Sequence, residues 1–193
     1  MDKLKVTRER NFSAHHKLLG AARAAVKVAE AGQEGWSLSV TTAITLCGLA
    51  VEAICNAIGD RVVVDWDDFE AAPPKAKLRL LCDKLDVPYD KGREPWGTLM
   101  WLLRVRNAIA HAKPELIQEE HHMTREEYEE RHYEQPQARL EKELTIKNAR
   151  KALDAVEELL KQLLPKIAFD KRSGLTGDEW FGTASLLPEP PAR

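Results

Sequence analysis

The stretch "RVRNAIAHAKPE", residues 104–115, combines residue types that can handle a phosphate. Arginine binds phosphate through a planar fork of donors, asparagine can orient a neighbouring group, and histidine can transfer a proton near neutral pH. On an ideal helix Arg104, Asn107 and His111 are three and four residues apart and share one face. Arg106 lies off that line, but its long side chain can reach the histidine near a fraying helix end. These are the groups needed to cleave a phosphodiester.

A local electrostatic role is the alternative interpretation of the same residues. Cationic side chains in the last turn of a helix interact favourably with the helix dipole and with unpaired carbonyl groups. His111 and Lys113 fit that description, since Pro114 marks the expected end of the helix. A short motif of this kind does not by itself separate capping from catalysis.

The composition indicates one domain inside the cell. The chain has 193 residues, of which 44% are hydrophobic, and this suffices for one real core. Its formal net charge is -2, so no global basic field attracts nucleic acid. The N-terminal "MDKLKVTRER" is charged where a signal peptide is apolar, which predicts a cytoplasmic protein. Three cysteines without a CxxC pair are expected to be reduced core residues: Cys47, Cys55 and Cys82.

Hydrophobic periodicity predicts an all-α fold of four main helices plus shorter ones, with no sheet. The first helix is amphipathic and is expected within residues 11–31. The second is apolar on most sides, so we expect it to be central and to end at Gly59. Its charge-free part, residues 35–51, is too short for a membrane span. The motif helix follows Pro95, and a last amphipathic helix is expected within residues 144–167.

Three further segments lie between or beyond these helices. The proline-introduced stretch at residues 73–85 predicts a short helix with an apolar inner side. The charged stretch at residues 115–143 predicts an exposed helical excursion, with the spacing of a capping box at Thr124 and Glu127. Residues 170–193 predict a tail that is partly disordered or that docks on the body or on a partner.

Six basic residues cluster in the short helix and in the loop after it. They are Lys75, Lys77, Arg79, Lys84, Lys91 and Arg93. Three aspartates dilute this charge, so a solvated face is the expectation and an approach surface for RNA is the alternative.

The histidines outside the motif show no spacing typical of metal ligands. They are His15, His16, His121, His122 and His132. Because no HExxH, CxxC or comparable pattern joins them, the sequence predicts exposed polar residues and no metal site.

In the order of these elements the chain resembles the HEPN superfamily of all-helical domains. The signature of that family is R-N-x-x-x-H near a helix end, and Arg106, Asn107 and His111 match it. An apolar second helix, a short proline-introduced helix, the motif helix and a long final amphipathic helix follow in the order the family shows. The resemblance covers about residues 11–167 and implies an up-and-down helical bundle, with a helical domain at residues 1–169.

What the resemblance implies is an endoribonuclease that needs no metal or cofactor and acts as a homodimer, in toxin-antitoxin or phage-defence systems. Two copies of the motif would meet across the dimer groove. His111 would be the general base or acid, Arg106 would stabilise the charged phosphate, and Asn107 would position one of them. Arg104 fits a wider spacing of the same motif. Glu52 would either anchor one of the arginines from behind or lie on the solvated edge of its helix.

Two features keep a second function open. One branch of the family is paired with nucleotidyltransferase antitoxins and carries tyrosine two residues after the histidine, where this chain has Lys113. That pairing is therefore not predicted. Some members of the superfamily are non-catalytic modules that bind a nucleotide, RNA or a partner protein. The expected partners are RNA, a second copy of the chain, and an antitoxin or other protein, with no membrane.

Overall fold

The structure, a computed structural model, describes residues 4–32, 34–177 and 179–186. The ends of the predicted domain and tail, residues 1–3 and 187–193, lie outside this part of the chain. The elements within it are β1 (Leu4–Asn11), α1 (Ala14–Glu30), α2 (Trp36–Val62), α3 (Pro74–Lys84), α4 (Trp96–Ala110), α5 (Arg125–Arg131), α6 (Arg139–Glu143), α7 (Ile146–Leu163) and β2 (Glu179–Leu186). Three 3-10 turns cover Trp66–Phe69, Leu164–Lys166 and Phe169–Lys171.

Helix α2 is the centre of the bundle, because it contacts α1, α3, α4 and α7. By length and composition alone this helix could cross a membrane, but half of its most apolar window is buried inside the domain. A helix that is hydrophobic on most sides needs apolar partners, and the four neighbouring helices supply them along its buried half. The helix is therefore packed within the helical domain over half of this window.

The predicted end of α2 at Gly59 is wrong, since the helix continues to Val62. The ring of Trp66 packs directly over Gly59, where a Cβ atom would collide with it. Gly59 therefore allows the indole ring to approach the helix closely, and it does not cap the helix.

The prediction that the fold contains no sheet is also wrong. Strands β1 and β2 pair antiparallel, with Leu4 opposite Leu186 at one end and Asn11 opposite Glu179 at the other. The two strands come from opposite ends of the chain, so neither has a partner nearby in the sequence that would reveal it. Every residue of β1 is exposed. The pairing gives hydrogen-bond partners to the backbone groups of both strands.

The tail is partly folded onto the body. Ser13 Oγ, at the start of α1, donates a hydrogen bond to the carbonyl of Gly174 at 2.6 Å. Leu175 is only 2% exposed and belongs to the core. Residues 173–175 are thus the point at which the chain turns from the helical body into β2.

The charged excursion contains only the short helices α5 and α6, and residues 112–124 are not helical. The predicted capping box is confirmed, because Glu127 N–H donates to Thr124 Oγ1 at 3.2 Å and Thr124 N–H donates to Glu127 Oε2 at 2.7 Å. No residue of α5 or α6 is fully buried, although half-buried Leu140 of α6 packs against the core.

The three cysteines are free and buried. Burial raises the pKa of the Cys47 and Cys82 thiols to about 12, and it raises the pKa of Cys55 as well. Their role is packing within the helical core.

Candidate active site

The second half of α4 carries the motif, and the apolar side of the helix decides where each polar side chain points. That side consists of Trp96, Thr98, Leu99, Leu102, Leu103 and Val105, which are all buried. His111 caps the helix, and its backbone N–H donates to the carbonyl of Asn107 at 3.0 Å. The helix therefore ends inside the motif, and His111 lies at the boundary between the packed body and the exposed excursion.

Arg106 turns inward, toward α2. Its Nη2 donates to Glu52 Oε2 at 2.6 Å, and its Nη1 donates to Asn107 Oδ1 at 2.8 Å. The side chain is 19% exposed, and its Nε is buried without a hydrogen-bond partner in the described residues. Gly48 makes room for it, since a Cβ there would lie 2.7 Å from Arg106 Cβ. Glu52 thus holds Arg106 rather than Arg104.

A buried lysine extends this contact behind the motif. Lys77 on α3 is 1% exposed, and its Nζ donates to Asn56 Oδ1 at 2.9 Å. The same Nζ lies 3.7 Å from Glu52 Oε1. Glu52 consequently stands between two cations, the ammonium of Lys77 on one side and the guanidinium of Arg106 on the other. We call these four residues, Glu52, Asn56, Lys77 and Arg106, the inner cluster.

The expectation that Lys77 belongs to a solvated basic face is wrong. Position 77 lies four residues before Leu81 and one before Leu78, both fully buried on the inner side of α3. Helical periodicity therefore placed Lys77 on that inner stripe, and this is the signal that could have identified it. A buried ammonium requires a partner, which Asn56 and Glu52 provide.

Arg104 points outward, away from the inner cluster. Its Nη2 donates to Glu143 Oε1 at 2.9 Å, and the indole Nε1 of Trp101 donates to Glu143 Oε2 at 2.7 Å. The hydrogen bond from Trp101, together with the one from Arg104, lowers the pKa of the Glu143 carboxyl. Nothing in the sequence pattern singles out Glu143, because it lies at the end of α6, far along the chain from Arg104.

His111 is exposed, and its imidazole makes no hydrogen bond or ion pair with any described residue. In the described chain no hydrogen bond joins His111 to Arg106. The structure therefore brings Glu52, Arg106 and Asn107 together, while it leaves His111 one helical turn away with both ring nitrogens available.

A surface groove of about 460 Å³ adjoins the motif. Arg104 and Asn107 form one wall of it, and Lys75 and Lys91 contribute two further cations. Met100 and Leu103 are among its apolar residues, and no acidic side chain lines it: the full lining is Pro73, Pro74, Lys75, Lys91, Gly97, Met100, Leu103, Arg104 and Asn107. The arrangement suits an anion with an apolar neighbour.

The histidines outside the motif do not gather into a ligand set. Among the described residues, no group of three or more His, Cys, Asp or Glu side chains is placed to hold a metal ion. The expectation that His15 is exposed is wrong: it is 1% exposed, and its Nε2 lies 3.2 Å from the carbonyl oxygen of Leu175. His15 therefore links α1 to the tail.

Compared with family models, curated proteins and solved structures, the chain matches none, so the HEPN resemblance depends on the motif in α4 and on the order of the helices.

Proposed function

We propose that the chain is an endoribonuclease of the HEPN type, which cleaves RNA without a metal ion or cofactor. The observation that carries the proposal is the placement of His111. Its imidazole is exposed and uncommitted, and it follows by one helical turn the Asn107 that lines a groove with three cations and no carboxylate. An uncommitted histidine beside a phosphate-binding surface is the minimum needed for proton transfer at a phosphodiester.

In the proposed reaction the RNA supplies its own nucleophile. His111 removes the proton of a ribose 2′-hydroxyl, the 2′-oxygen forms a bond to the adjacent phosphorus, and the bond from phosphorus to the 5′-oxygen breaks. The 5′-oxygen takes up a proton from water, and His111 then releases its proton to solvent. The products carry a 2′,3′-cyclic phosphate and a 5′-hydroxyl. DNA lacks the 2′-hydroxyl and is not cleaved. Proton transfer by a positioned side chain contributes about 10² to 10⁴ to the rate of such reactions.

Arg106 and Asn107 act on the phosphate in this proposal. A guanidinium has five N–H donors, and Arg106 uses one on each Nη for Glu52 and Asn107. One N–H remains on each Nη for the phosphate oxygens, where charge accumulates as the 2′-oxygen attacks. Asn107 holds the guanidinium in place, Glu52 anchors it from behind, and Arg104 adds a cation at the wall of the groove.

The biological setting follows from the resemblance alone. We propose a cytoplasmic homodimer whose two motifs face a shared groove, as part of a toxin-antitoxin or phage-defence system. An antitoxin or another protein would then restrain the activity.

The test is cleavage of total cellular RNA in EDTA by the wild type, by His111→Ala and by His122→Ala. His122 is the matched control, because it is an exposed histidine in the excursion with no side-chain partner in the described part of the chain. We expect the wild type and His122→Ala to produce cyclic-phosphate ends and His111→Ala to produce none. Absence of cleavage by the wild type, or equal cleavage by His111→Ala, would contradict the proposal.

One observation favours a second candidate, a non-catalytic helical module that binds a nucleotide, RNA or a partner protein. Arg106 is mostly buried and already bound to Glu52, as a structural arginine would be. Such a module would tolerate His111→Ala in its binding, whereas the enzyme would lose its activity. The same three proteins, measured for RNA binding as well as cleavage, separate the two functions.

A further inference from the structure

Two neighbouring cavities along α3 share part of their walls. The first, of about 460 Å³, is the one that Arg104 and Asn107 line at the motif. The second, of about 300 Å³, reaches Arg79 and Tyr89. Both share Pro73, Lys75 and Lys91 in their walls. We call the combined surface the basic groove, and its polar walls are formed by Lys75, Arg79, Tyr89, Lys91, Arg104 and Asn107.

The basic groove is locally cationic although the chain as a whole carries a net charge of -2. Four cationic side chains line its two cavities, and no aspartate or glutamate does. Arg104 is paired with Glu143, and Arg79 lies 3.9 Å from Asp83 with both side chains largely exposed. Lys75 and Lys91 are exposed and form no ion pair in the part of the chain that the structure describes. These two lysines are the charges that a ligand can use without displacing a partner.

The charge changes sign at the far end of the groove. A further cavity of about 650 Å³ shares Arg79, Tyr89 and Lys91 with it, but Asp83, Asp86 and Asp90 also line this cavity. A polyanion that occupies the basic groove would be repelled there. The favourable path therefore extends from Asn107 past Lys75 and Lys91 and stops near Tyr89.

From this path we infer that the basic groove is a subsite for the phosphodiester backbone of single-stranded RNA, next to the phosphate that is cleaved. The inference rests on the proposed function and extends it from the reacting phosphate to its neighbours. Lys75 and Lys91 each contact a backbone phosphate as point charges, which positions the strand without reading its bases. Apolar side chains such as Met100 and Leu103 line the same groove and offer contacts to the sugar and base parts of the strand.

The test uses an RNA that binds but is not cleaved. A mixed-sequence 2′-O-methyl RNA of roughly twelve nucleotides, labelled with fluorescein, lacks the free 2′-hydroxyl, so binding is measured apart from catalysis. Fluorescence anisotropy compares the wild type, the double variant Lys75→Ala/Lys91→Ala, and the control Lys27→Ala/Lys166→Ala. The control removes two exposed lysines that have no ion pair within the described residues and lie outside the groove.

We expect the groove variant to bind about tenfold more weakly, since two exposed charge contacts are lost. In titrations between about 50 and 200 mM salt, the slope of log K against log salt should become shallower by about 1.4, or 0.7 for each lost phosphate contact. The control should stay within about twofold of the wild type, because its lysines contact no phosphate.

Three results would overturn the inference: no binding by the wild type, unchanged binding by the groove variant, or an equal loss in the control. Failure of the proposed ribonuclease function would give a different pattern of cleavage and binding. If no RNA is cleaved but the groove variant still loses binding, the basic groove is an RNA-binding site and the catalytic role of His111 is wrong. If cleavage requires His111 and the groove variant binds normally, only the subsite is wrong.

Discussion

The charged side chains on the inner and outer sides of the last two turns of α4 differ in their exposure and in their partners. On the inner side Arg106 is 19% exposed and shares Glu52 with the buried ammonium of Lys77. On the outer side Arg104 is 60% exposed and pairs with Glu143, and His111 has no side-chain partner among the described residues. Removing one member of a desolvated cluster leaves other charges unpaired, whereas solvent screens the loss of an exposed pair. The inner side therefore fixes the helix, and the outer side keeps groups available for a ligand.

The largest expected effect comes from reversing the charge of Lys77. In Lys77→Glu a buried carboxylate would face Glu52, so we expect a loss of more than about 4 kcal/mol in the free energy of unfolding. Lys75→Glu is the matched control, since Lys75 lies two residues away on the exposed side of the same helix. Chemical denaturation followed by circular dichroism measures both variants. Equal stability of the two variants would show that Lys77 is not buried against Glu52.

A smaller effect is expected from removing single carboxylates on the two sides. Glu52→Ala leaves Arg106 and Lys77 without their shared counter-ion, and it should cost about 2 kcal/mol in the free energy of unfolding. Glu143→Ala removes only the partner of exposed Arg104 and the acceptor of Trp101, and it should cost about 0.5 kcal/mol. Urea titrations of the two variants check the difference. A Glu143→Ala that is as destabilised as Glu52→Ala would remove the distinction between the two sides.

The smallest effect concerns pH on the outer side. Because hydrogen bonds from Trp101 and Arg104 lower the pKa of Glu143 below its usual 4.5, the stabilisation from these bonds is present above that value. It is lost as the pH falls through the lowered pKa and the carboxyl group is protonated. In a nitrogen–proton NMR titration, the indole N–H signal of Trp101, assigned with Trp101→Phe, should stay constant from neutral pH to about 4.5 and shift below it. A shift that is complete above this value would contradict the contact.

Some elements of the fold could be predicted from the sequence alone. The central α2 and the final α7 were predictable because long apolar patterns at helical spacing report burial directly. The placement of the motif near the end of α4 was predictable because its residues are close in sequence and a proline follows, although the helix ends at Ala110, before Pro114.

Contacts that join distant segments were not predictable in this way. The partner of Arg104 is Glu143, and the partner of β1 is β2 at the other end of the chain. A local pattern contains no information on either pairing. Lys77 is an intermediate case, because its position on the inner stripe of α3 was visible, but its charge favoured the solvated interpretation.

The most direct test of the account plots the RNA-cleavage rate of Arg106→Ala and of His111→Ala against the free energy of unfolding of each protein. We predict that both variants lose cleavage by at least about a hundredfold. Arg106→Ala should also lose at least about 1 kcal/mol of stability, while His111→Ala should remain within about 0.5 kcal/mol of the wild type. A His111→Ala that cleaves RNA normally, or that loses stability and activity together, would contradict the account and make His111 a helix cap.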